Sequence, residues 1–120
     1  MKEKMVELNS KLQNLSEEIY SGSKEKKKLF KQEEEFHSLF REKDRLFQDL
    51  KQSWKHGEMS FVVQDTDTEL KHHQRNVIQS LEDEMTALNK KARLLEEKES
   101  ELRYEADLLS LRDQDNDKSD

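Results

Sequence analysis

One heptad register runs without a shift from residue 5 to residue 54, and that spacing narrows what the chain can fold into. Its a positions are Met5, Leu12, Ile19, Lys26, Glu33, Phe40, Phe47 and Trp54. Its d positions are Leu8, Leu15, Gly22, Leu29, Phe36, Lys43 and Leu50. All but Gly22, Lys26, Glu33 and Lys43 are apolar, in a stretch otherwise rich in Lys, Glu, Gln and Ser. With 31% hydrophobic and 42% charged residues, the composition suits either disorder or long solvated helices. A disordered segment has no reason to keep this spacing, so residues 3–55 read as one helix, and no proline interrupts it.

The stripe on this helix changes along its length. Its first third is a narrow seam of Met and Leu, enough to cover one partner helix. Ser21-Gly22-Ser23 interrupts it, and a helical glycine costs about 1 kcal/mol relative to alanine, which predicts fraying or a bend there. Beyond that point the stripe widens. Phe30, Leu39 and Leu46 join Phe36, Phe40, Phe47, Leu50 and Trp54, adding e and g positions to a and d. A stripe that wide touches more than one neighbouring helix, so these eight residues are the candidate partner-binding set.

Trp54-Lys55-His56-Gly57 reads as an elbow between two antiparallel arms. Gly57 can take the positive φ that ends a helix, and His56 supplies a cation suited to a helix C-terminus. Two starts fit the second helix. One lies just after Gly57, at 58, and turns Met59, Val62, Val63, Leu70 and Val77 inward. The other is a capping box at 66–69, with Thr66 at the cap and Glu69 at the third position, starting the helix at 67. The first makes the arms nearly equal and is preferred. From Ile78 the register is plain: Ile78, Met85, Ala92, Glu99 and Ala106 at a, with Leu81, Leu88, Leu95, Leu102 and Leu109 at d. Upstream, Val63, Leu70 and Val77 fall on g, so the stripe drifts near residue 77. The reading is therefore all-α: a coiled-coil helical hairpin over 1–111, followed by an acidic tail, 112–120, expected to be disordered.

Little catalytic chemistry is visible. The absence of cysteine excludes disulfides and thiolate metal sites. The longest apolar run, Phe61-Val62-Val63, is too short to span a bilayer, and the first residues lack the apolar stretch of a cleavable leader. A net charge of −6 disfavours nucleic acid. Two Glu-x-x-His pairs, Glu34/His37 and Glu69/His72, have the spacing of di-iron bundle ligands. They fall beside or outside the apolar seam, as solvated residues do. The lysines of 24–31 read as a solvated face, and His72-His73 point about 100° apart on a helix. No catalytic, metal or cofactor-binding residue is assigned, and a non-enzymatic protein is expected.

The central tryptophan followed closely by glycine, between two helices, resembles the small WXG-type proteins of type VII secretion. Here the spacing is Trp54-x-x-Gly57, one residue longer than Trp-x-Gly. The export signal Tyr-x-x-x-Asp/Glu is also unmatched, since Leu108 stands where Tyr104 would need an acid; Phe61-x-x-x-Asp65 fits a looser form but lies at the elbow. These departures point to a neighbouring group. Over most of 3–111 the chain is similar to the small helical accessory proteins of LXG toxins of Gram-positive bacteria. That resemblance implies a targeting factor or chaperone that binds the helical N-terminal domain of a toxin beside a second small WXG-like protein. It would act in the bacterial cytoplasm or be co-exported without a cleavable leader. Trp54 and Gly57 are the matching elbow positions. The alternative is a self-associating coiled-coil scaffold or a rod-like export escort.

Overall fold

In the computed structural model, residues 2–118 are described, with side chains over 2–114. Two helices, α1 (Lys2–Ser53) and α2 (Glu58–Lys118), form an all-α hairpin, and no strand occurs among the described residues. The chain packs as two units, Met1–Lys26 with Ala87–Asp120, and Lys27–Thr86. Both helices run through both units.

The seam of α1 follows the heptad register residue by residue. Leu8, Leu15, Leu29 and Phe47 are buried, and every other a or d position between Met5 and Leu50 is half-buried, including Gly22 and the polar Lys26, Glu33 and Lys43. No large side chain is fully enclosed among the described residues, as expected of a seam covered by a single partner helix. In the elbow unit, Lys51 meets Asp67 while Lys43 meets Gln74, so α2 advances as α1 retreats and the pairing is antiparallel. In the other unit, Glu7, Leu8 and Lys11 line one groove with Glu105, Leu109 and Arg112.

The elbow is short. The amide of Trp54 still donates to the Leu50 carbonyl at 2.9 Å, although α1 ends at Ser53 rather than at 55. Gly57 has φ of +91°, and its carbonyl accepts from Ser60 N–H at 3.2 Å in the first turn of α2. The second helix thus starts at Glu58, and the capping box lies within it. Thr68 Oγ1 donates back to the Gln64 carbonyl at 2.9 Å, a bond of the helix interior. No helix breaker separates 58 from 66, and the seam residues Ser60 and Val63 give this stretch a face to pack.

Along α2 the covered positions are Ser60, Val63, Asp67, Leu70 and Gln74, then Val77 and Ile78 together, then Leu81, Met85, Leu88 and so on to Leu109. The step from Asp67 through Leu70 and Gln74 to Ile78 is 3, 4, 4, which is a stutter that locally unwinds a heptad supercoil. This is the drift expected near residue 77. Met59 and Val62, expected to face inward, are instead 45% and 53% exposed. Val62 adjoins the buried Val63, but helical neighbours diverge by about 100°, so only one of the two can reach the seam.

Two further expectations are corrected. α1 is unbroken through Ser21-Gly22-Ser23, so Gly22 does not fray it. α2 continues past Leu111 to Lys118 where a disordered tail was expected, because lengthening an existing helix is far easier than nucleating one and no glycine or proline stops it. Residues 119–120 of that tail lie outside the described residues. The two glycines should respond oppositely to alanine. A methyl at Gly22 meets nothing within 4 Å in a helical backbone, so Gly22→Ala should stabilise by about 0.5–1 kcal/mol. Gly57→Ala has space too, but its left-handed backbone should cost about 1–2 kcal/mol; urea melts of both variants will show the two signs.

Candidate partner-binding face

The hairpin divides the eight candidate residues into two groups. Phe47 is buried and Phe36, Phe40 and Leu50 are half-buried, so α2 already covers them; the Phe36 and Phe40 rings lie 5.9 Å apart at 31°. Phe30, Leu39, Leu46 and Trp54 remain 58%, 55%, 57% and 47% exposed. Three residues outside the expected set are also exposed in the first two turns of α2: Met59, Phe61 and Val62. The signal for Phe61 and Val62 was present in the longest apolar run of the chain, which a two-residue-per-heptad seam cannot absorb.

On α1, the two flanks of the seam differ. Near the elbow the e flank holds Asp44 and Lys51 and belongs to an ion cluster centred on Asp67 of α2, a charged residue buried to 4% exposure, while Phe30 further along the same flank stays outside the cluster. Asp67 Oδ2 accepts from Lys51 Nζ at 2.7 Å and lies 3.2 Å from Lys71 Nζ; Oδ1 accepts from Lys43 Nζ at 3.3 Å. Lys43 also donates to Gln74 Oε1 at 2.8 Å and sits 2.8 Å from Asp44. Burial alone would raise the pKa of Asp67, but the hydrogen bonds from Lys51, Lys71 and Lys43 outweigh it and lower the value from 3.8 to about 2. For Lys43 burial again opposes the charged form, and the bonds and charges of Asp44 and Asp67 prevail, raising its pKa above 10.5.

Sequence reasoning registered Lys43 as a polar d position but read Asp67 as part of a capping box. The missed clue is that Asp67 stands one heptad before Gln74 and two before Leu81, on the inner line of α2.

The remaining candidates stay apart. Glu34, His37, Glu69 and His72 are all exposed, with His37 Nε2 3.7 Å from Glu33, and the rings of His72 and His73 are 6.1 Å apart. Among the described residues no group of three or more His, Cys, Asp or Glu side chains could hold a metal ion. Lys24 lies 4.6 Å above the ring of Tyr20. No described helix is long and apolar enough to cross a membrane.

Residues 3–108 match the family described as "Protein of unknown function (DUF3958)". The chain belongs to that family. No curated protein matches it, and no solved structure does. For this family member, the helical hairpin and its uncovered apolar flank are the features from which a function has to be argued.

Two outcomes test the cluster. Asp67→Leu alone removes the carboxylate shared by Lys43, Lys51 and Lys71, leaves Lys43 with Asp44 and Gln74, and should cost about 1–3 kcal/mol, whereas Asp67→Leu with Lys43→Leu should recover most of that loss in a double-mutant cycle. Because the folded pKa of Asp67 is depressed, its contribution is complete above about pH 3.8 and disappears as the pH falls toward 2. Thermal melts should therefore show an acid limb in that window, which Asp67→Asn removes.

Proposed function

We propose that this protein is a non-enzymatic targeting factor or chaperone. In this reading it binds the helical N-terminal domain of an LXG-type toxin, with a second small WXG-like protein, for type VII secretion. It does so in the bacterial cytoplasm or while co-exported with its client. The observation that carries the reading is the row of large apolar side chains left exposed beside a seam that is already filled: Leu39, Leu46 and Trp54 on and after α1, with Met59, Phe61 and Val62 opening α2. Large apolar side chains left in water beside a filled seam suit an interaction site, and tryptophan is enriched among residues that dominate binding energy. The elbow pattern Trp54-x-x-Gly57 and the paired helices support the choice of client by resemblance. A homotypic scaffold is the second reading, supported by the length over which α1 keeps an uninterrupted heptad seam.

Co-expression with the N-terminal domain of an LXG toxin, followed by size exclusion with light scattering, separates the two. The targeting reading expects a hetero-complex that Leu39→Asp with Leu46→Asp abolishes while circular dichroism stays helical. By contrast, Phe40→Asp with Phe47→Asp should unfold the hairpin itself, since those rings face α2. A chain that is a stable, concentration-independent homo-oligomer and ignores the toxin domain would establish the scaffold instead.

A further inference from the structure

The g flank of α1 carries a second line parallel to the buried seam. Glu35, Leu39, Glu42, Leu46 and Asp49 follow one another at steps of 4, 3, 4 and 3, and all five are exposed. At about 100° per residue these steps keep the five side chains on one narrow strip of the helix, each leucine bracketed by carboxylates. Among the described residues none of Glu35, Glu42 and Asp49 has an ion-pair partner, unlike Asp44 and Lys51 across the seam. The strip thus has the spacing of a coiled-coil contact, an apolar centre 55–57% exposed, and three unmatched negative charges.

We infer that Glu35–Leu39–Glu42–Leu46–Asp49 is a docking ridge for one helix of another protein, and that this helix interleaves Lys or Arg with its apolar seam. The inference rests on the client-binding reading above and names the chemistry of the client helix. An apolar helix with acidic flanks would bring like charges together along the whole ridge, whereas basic flanks pair with each carboxylate in turn. Such pairs add selectivity and salt dependence, and the leucines supply the buried area.

The test uses the full chain and two synthetic amphipathic helices with the same leucine seam, one with Lys and one with Glu at the interleaved positions. Fluorescence anisotropy at low salt should show the Lys helix binding about ten-fold more tightly, from three exposed pairs acting together. The triple variant Glu35→Lys, Glu42→Lys, Asp49→Lys, whose fold is checked by circular dichroism, should reverse that preference, and 0.5 M salt should erase it. Equal binding of both helices, binding of neither, or a preference unchanged in the variant overturns the inference. Self-association of the wild-type chain that the triple variant abolishes also overturns it, by making the occupant a second copy. The toxin domain supplies the separating arm. If it binds the wild type and the triple variant equally, the ridge falls and the client reading stands; if it does not bind while the Lys helix does, the ridge stands and that client falls.

Discussion

Two helices paired along one seam can cover only about two residues in seven on each arm, and the rest of the molecule follows from that limit. In α1 those positions are filled as far as Leu50, with Leu8, Leu15, Leu29 and Phe47 buried and the polar members half-covered. Whatever apolar surface exceeds the allowance must face water or another chain. In the unit of the open ends that excess is Val6, Tyr20, Leu94, Tyr104, Leu108 and Leu111. In the unit of the elbow it includes Phe30, Leu39 and Leu46, which stand beside a seam already occupied by Phe36, Phe40 and Phe47.

Within the elbow unit the seam also has to accommodate charge. Asp67 is tolerable at 4% exposure because both its carboxylate oxygens are engaged by lysines from two helices. A buried pair of this kind contributes little net stability against a well-packed apolar substitute, and its main effect is on which surfaces can pair. Lys43 facing a second copy of α1, or Asp67 facing a second copy of α2, would lose its partners across the seam and keep only the counterion on its own helix, Asp44 or Lys71. The cluster therefore favours α1 against α2 over either arm against itself.

How much of this was legible in the sequence depends on whether one helix or two are needed to see it. The inner line of α1 was readable outright, down to the polar Lys26, Glu33 and Lys43, because helical periodicity is a property of a single strand of sequence. The leucines of α2 and the drift at Val77-Ile78 were readable for the same reason. The start of α2 was ambiguous, since Thr66-Asp67-Thr68-Glu69 satisfies local capping rules and only packing across the seam places those residues inside a helix. The partner of Lys43 was invisible. It requires the register between the arms, which the short elbow after Trp54 fixes and no local pattern records. The division of the aromatic stripe was hidden by the same gap, because periodicity identifies an apolar face without saying how far one partner helix reaches across it.

The asymmetry of the two flanks decides from which side a third helix can approach. On the e flank, an incoming helix would have to displace Lys51 or Asp44 from a network that keeps Asp67 satisfied, and would expose a buried carboxylate to the loss of its donors. On the g flank it would meet Leu39 and Leu46, which no ion pair of the described residues guards, and carboxylates that have nothing to give up. The energetic cost of entry is therefore low on one side and high on the other. Between Phe40 and Leu50 the seam therefore has one flank tied into an ion network and one flank of exposed leucines and carboxylates, while further from the elbow Phe30 lies exposed on the first flank, outside that network.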